Sequence, residues 1–151
     1  MSRPTGEKVW ASSTDLSALR VLVVDDEVQV VQTVRAMLRD MGVAQTFCAK
    51  DGKEAAEFLR SSEEGVDVIV TDWNMPKMNG LELLKDARSG NPDVAVLLVT
   101  GRADRDSVME ARELGVRGYL RKPFSAQELR AKFIMISKQQ QFSAKRSENP
   151  A

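Results

Sequence analysis

The apolar positions of this chain follow two alternating patterns. Five short runs rich in Val, Ile and Leu, at 20–24, about 45–49, 67–71, 94–99 and 117–121, have the length and composition of β-strands. Between them, apolar residues recur every three or four positions. In the first such stretch, about 27–41, Val31, Val34, Leu38 and Met41 share one face, and Gly42 follows as a C-terminal cap. The last opens with Ser125-Ala126-Gln127-Glu128, where Ser125 and Glu128 satisfy free amides of the first turn, and then buries Leu129, Phe133 and Ile136. Helices at about 53–60, 80–88 and 104–114 fill the remaining gaps, with Gly115 ending the fourth. Strict strand–helix alternation requires right-handed crossovers, hence a parallel sheet with helices on both faces. Val68-Ile69-Val70 and Val94 through Val99 are apolar without alternation, as strands covered on both faces are. The predicted fold is α/β, a doubly wound five-stranded parallel sheet in the order 2-1-3-4-5 with five helices.

That order brings charge together. Strands one and three flank the point where the winding reverses, and their loops leave a crevice. Asp25-Asp26 follow strand one and Asp72 follows strand three, so the acids converge for a topological reason. At an effective dielectric near 20, each like-charged pair about 4 Å apart costs about 4 kcal/mol. A hard cation with oxygen ligands compensates, and Mg²⁺ suits two or three acids with open positions for water and a phosphoryl oxygen. Lys122, restricted by Pro123, supplies a fixed positive charge, and Thr100, beside Gly101, adds a hydroxyl at the same rim. Asp72 is then the candidate nucleophile toward phosphorus, with Asp25 and Asp26 holding the metal. Each residue alone has a plainer role: a helix cap for Asp25 or Asp26, a solvated turn lysine, a capping hydroxyl, loop packing for Trp73 and Met75. Their joint position at one end of one sheet favours the chemistry.

Composition narrows the remaining classes. At 151 residues the chain suits one domain, expected at 19–138, with a polar extension over 1–18 and a loose polar tail over 139–151. No output domain is expected after the last helix. Lys plus Arg and Asp plus Glu both number 22, so no overall charge favours nucleic acid or an anionic membrane. The absence of histidine excludes Ser-His-Asp and Cys-His catalysis, histidine metal sites and a phosphohistidine-donor role. The single cysteine, Cys48, fits a reducing compartment and is expected to be buried. With no apolar run near the roughly 20 residues of a membrane span, and no signal-peptide core, the chain reads as cytoplasmic.

Asp25-Asp26, the stretch Asp72-Trp73-Asn74-Met75-Pro76 through Gly80-Leu81-Glu82-Leu83-Leu84-Lys85, Thr100 and Lys122-Pro123 together resemble the receiver domain of two-component response regulators, the chemotaxis members above all. The resemblance spans about 18–138 and implies a flavodoxin-like fold that accepts a phosphoryl group from a histidine kinase. It implies Asp72 as phospho-acceptor, and Mg²⁺ held by Asp26, Asp72 and the Asn74 carbonyl, with Asp25 acting through water. Lys122 would contact the phosphoryl oxygen and Thr100 would respond to it. Tyr119 would be the aromatic that turns inward in the active state. Glu27, Asn74 and Arg102 occupy positions that vary in the family and tune the lifetime of the phosphoryl group. The expected output is protein binding through the fourth and fifth helices and the fifth strand, to a flagellar motor switch or, alternatively, a histidine phosphotransfer protein. A phosphohydrolase with an aspartate nucleophile would use similar parts, but that family spaces its two acids by one residue, whereas Asp25 and Asp26 are adjacent. A scaffold that is never phosphorylated is the third reading.

Overall fold

The computed structural model describes residues 15–63, 65–73, 79–101, 105–113 and 115–148. Five strands, β1 (Arg20–Val24), β2 (Gln45–Ala49), β3 (Val68–Asp72), β4 (Ala95–Thr100) and β5 (Gly118–Arg121), form one parallel sheet in the order β2-β1-β3-β4-β5. The helices are α1 (Val28–Asp40), α2 (Gly52–Ser61), α3 (Gly80–Gly90), α4 (Arg105–Glu113) and α5 (Ala126–Glu148). The architecture and strand order are those the alternation predicts.

Strand periodicity divides the core in two. Val21, Val23, Val68, Val70, Ala95, Leu97 and Val99 point to one face, where α1 contributes Val31, Val34 and Leu38 and α5 contributes Leu129, Phe133 and Ile136. Their neighbours Leu22, Val24, Ile69, Val96 and Leu98 point to the other, against Ala55 and Ala56 of α2, Leu83, Leu84 and Ala87 of α3 and Ala111 of α4. Every residue of β4 is buried, which explains its lack of alternation. Truncating a fully buried side chain such as Phe133 to alanine removes about 3–5 kcal/mol.

The helix ends follow the sequence signals. Gly42, at φ +100°, lets its own amide reach the Arg39 carbonyl (3.0 Å) and the Val43 amide reach that of Leu38 (2.9 Å), closing α1. Gly115 closes α4 in the same way, and the Arg88 guanidinium of α3 donates to the Gly115 carbonyl at 2.5 Å. At α5, Ser125 Oγ accepts from the Glu128 amide and the Glu128 carboxylate accepts from the Ser125 amide, both at 3.1 Å. No helix among the described residues is long and apolar enough to cross a membrane.

Three features depart from expectation. Cys48 is exposed rather than buried: β2 is an edge strand, where Arg35 donates to Thr46 Oγ1 at 3.1 Å with the Cys48 sulfur 3.9 Å away. The last helix runs to Glu148, so the polar stretch expected as a loose tail is helical over most of its length. Gln, Lys, Arg and Ala favour helix, and no Gly or Pro interrupts the stretch before Pro150. Leu16 is buried in the α1–α5 core, so part of the expected N-terminal extension packs on the domain. Residues 1–14 of that extension lie outside the described residues.

Candidate functional site

The site forms at the C-terminal lip of the central strands. β1 ends at Val24, paired with Thr71, which brings Asp25 alongside Asp72 at the end of β3. One carboxylate oxygen from each of Asp25, Asp26 and Asp72 lies within 4.8 Å of the others. Asp25 is buried, Asp72 half-buried and Asp26 exposed. The convergence predicted from strand order is therefore present.

Asp25 is held from two sides. Its Oδ1 accepts from the Glu27 amide at 2.9 Å, the local bond expected of an Asp just before a helix, and its Oδ2 accepts from Lys122 Nζ at 2.9 Å. Asp72 Oδ2 accepts from the same ammonium at 3.2 Å, and Glu27 Oε1 stands 4.0 Å from it. Asp26 makes no ion pair among the described residues. The lysine is positioned by backbone as well as charge: its amide donates to the Thr100 carbonyl at 2.7 Å. Burial alone would push the Lys122 pKa down, but the hydrogen bond to Asp25 and the charges of Asp72 and Asp25 outweigh it, so the pKa is raised and the ammonium stays charged.

Thr100 is buried at the end of β4, one residue past Val99, the register partner of Asp72. It shares the rim as expected. Tyr119, paired with Leu98, is 40% exposed on the edge strand and points outward. Asn74 and Arg102 lie outside the described residues, as does Met75. Trp73 packs against the α2–α4 core, the plainer of its two readings.

Two residues that support Asp72 were not singled out from the sequence. The Thr71 hydroxyl, fully buried, donates to the Asp72 carbonyl at 3.1 Å. Gly80, the first residue of α3, donates its amide to the Trp73 carbonyl at 2.9 Å, and a Cβ there would meet the Asp72 carbonyl at 2.9 Å and Leu98 Cδ2 at 3.0 Å. Only glycine lets α3 start so close to the strand end. A signal was available in Asn79-Gly80-Leu81-Glu82: Asn79 caps the Glu82 amide at 2.9 Å while Glu82 accepts from the Asn79 amide at 3.1 Å.

Chemically, three carboxylates and one ammonium leave a net negative, oxygen-lined cavity rim. Asp26, exposed and without a cationic partner among the described residues, and Asp72 offer oxygen donors suited to a hard divalent cation, and the cluster could hold one. Both Asp25 oxygens are already engaged, so that residue suits contact through water.

Comparison with known proteins agrees with this geometry. Residues 21–134 match the family model described as "Response regulator receiver domain". The chain is 41% identical over 120 residues to the chemotaxis protein CheY of Pseudomonas aeruginosa, covering 78% of this chain and 95% of that protein. It is 40% identical over 120 residues to the chemotaxis protein CheY-3 of Vibrio cholerae, covering 78% and 91% respectively. Among solved structures, a receiver domain protein of Clostridium thermocellum superposes with a TM-score of 0.75 at 29% identity, covering 83% of this chain and 98% of that one. The receiver domain of Francisella response regulator 1452 does so with a TM-score of 0.72 at 33% identity, covering 80% and 98%.

Proposed function

The chain belongs to the response regulator receiver domain family, and from that premise we propose that it is phosphorylated on Asp72 by a histidine kinase and signals by phosphorylation-dependent protein binding. The observation that carries the proposal is Lys122 Nζ bridging Asp25 and Asp72 at 2.9 and 3.2 Å, a fixed cation beside the carboxylate that ends β3. An Asp72 oxygen attacks the phosphorus of a phosphohistidine, the P–N bond breaks, and the imidazole leaves with the electron pair. Lys122 would neutralise a phosphoryl oxygen as charge moves onto it, and Thr100, one residue past the register partner of Asp72, would donate its hydroxyl once the group arrives. Asp26, Asp72 and the Asn74 carbonyl would hold Mg²⁺, with Asp25 acting through water, and the ion would neutralise the remaining phosphoryl charge.

Phosphorylation adds about −1.5 to −2 charges, enough to redraw the pairing of a single lysine. Drawing Thr100 toward Asp72 leaves space behind it on β4, and Tyr119, outward on the neighbouring strand, is the side chain free to fill that space. The α4–β5–α5 face then differs between the two states, and a partner that prefers one shifts the balance. Chemotaxis control of the flagellar motor is the output we favour, because the relatives matched over most of their length are chemotaxis proteins. The alternative is a relay to a histidine phosphotransfer protein. Capture of partners by the protein loaded with beryllofluoride and Mg²⁺ tests the choice. A motor-switch protein retained only by the loaded form supports the first output, and a phosphotransfer protein retained alone supports the second.

A further inference from the structure

Building on that reading, we propose that Glu27 is a specificity-determining residue that selects phosphoryl donors by charge, disfavouring small dianionic donors. Its backbone is fixed, because its amide donates to Asp25 Oδ1 at 2.9 Å. Glu27 takes the N-cap position of α1 without making a side-chain cap bond. Its carboxylate instead stands 4.0 Å from Lys122 Nζ while remaining 67% exposed, against 3% for the Asp25 side chain and 12% for that of Asp72. The ammonium already has nearer partners in Asp25 and Asp72. What Glu27 adds is an exposed negative charge beside the lysine that also holds the acceptor.

The local charge count makes that addition decisive. Among the described residues, Asp25, Asp26, Glu27 and Asp72 bring four negative charges to one lysine, and a bound divalent cation would reduce that excess from three to one. Replacing Glu27 with glutamine removes one of those negative charges. A protein donor brings its own side chains to offset Glu27, whereas a free dianion meets it directly. In the transfer from acetyl phosphate, an Asp72 oxygen bonds to phosphorus as the P–O bond to the acetyl group breaks, and acetate leaves with the electron pair. From phosphoramidate, whose protonated nitrogen makes it a monoanion, the P–N bond breaks and ammonia leaves.

The test compares wild type, Glu27→Gln and Glu27→Asp at saturating Mg²⁺ with both donors, at low and high salt, alongside calorimetric titration with Mg²⁺ alone. For Glu27→Gln the second-order rate constant with acetyl phosphate should rise about ten-fold at low salt, as expected for a dianion passing about 6 Å from a unit charge in a water-like dielectric. With phosphoramidate the gain should be about three-fold, half the effect on a logarithmic scale. Both gains should shrink at high salt. Mg²⁺ affinity should fall in the same variant, and Glu27→Asp should behave like wild type. Faster reaction together with weaker metal binding is a pairing that mere disorder of the loop, which would lower both, does not produce. Phosphorylation of both proteins with an unchanged ratio between donors overturns this proposal alone. Failure of every protein to react with either donor overturns it together with the acceptor reading beneath it.

Discussion

Asp26 offers a sharp test because it is the one acid of the cluster that Lys122 does not reach. Its carboxylate lies within 4.8 Å of those of Asp25 and Asp72 and has no compensating ion pair among the described residues. At that distance each repulsion costs about 1 kcal/mol in a water-like dielectric and about 3 kcal/mol at an effective value near 20. Asp26 is exposed, so the lower figure applies, and two neighbours give about 2 kcal/mol. Against this, an acid just before α1 is favoured by the helix N-terminus by about 0.3–1 kcal/mol. Asp26→Asn should therefore stabilise the metal-free protein by about 1 kcal/mol, a rise in Tm of about 3–5 °C for a domain of this size. In Mg²⁺ at about a hundred times the wild-type Kd, the wild type should gain about 2.7 kcal/mol, and the variant far less because it has lost a ligand. The order of stability should thus reverse between chelator and Mg²⁺, as read by thermal melts of both proteins. Asp25→Asn, which breaks a hydrogen bond to Lys122, should lower stability in chelator. An Asp26→Asn protein that melts lower than wild type without metal, or that gains as much from Mg²⁺, would refute the reasoning.

Other outcomes follow from the same contacts. Gly80→Ala forces a Cβ against the Asp72 carbonyl and should cost about 1–3 kcal/mol in denaturant melts, while slowing phosphorylation by acetyl phosphate; an unchanged rate would show that this close approach does not position Asp72. The Lys122 pKa is raised on folding, so its contribution to stability is present in full below the unfolded lysine value of about 10.4 and is lost as pH rises through the folded pKa. In metal-free protein, the stability difference between wild type and Lys122→Met should stay level from neutral pH to about 10.4 and narrow above it, as followed by urea unfolding across that range. The exposed Cys48 should react with a thiol reagent in the native protein as fast as in an unfolded control, and slow labelling would place it under cover.

The sheet and the acid cluster were legible because they depend on few residues. Unbroken apolar runs at Val68–Val70 and Val94–Val99 fix which strands are central, and the order that follows carries Asp25, Asp26 and Asp72 to one lip whatever the loops do. Lys122 was legible as a charge at that lip, but not as a bridge between Asp25 and Asp72, since side-chain reach depends on backbone geometry around Thr100. Gly80 escaped notice because a close approach leaves no periodic trace; only its clash distances to Asp72 and Leu98 reveal it. Cys48 was misjudged because its type is usually buried and strand order alone does not say how far α1 covers the β2 edge. The length of α5 does not follow from hydrophobic periodicity, because helix propensity rather than hydrophobicity decides whether a polar stretch continues a helix.

Intact mass of the wild type and of Asp72→Asn after incubation with acetyl phosphate, with Mg²⁺ and with chelator, tests the central claim most directly. The account expects one phosphoryl addition to the wild type, only with Mg²⁺, and none to Asp72→Asn. Addition to Asp72→Asn to the same extent, or addition that is indifferent to Mg²⁺, would contradict it.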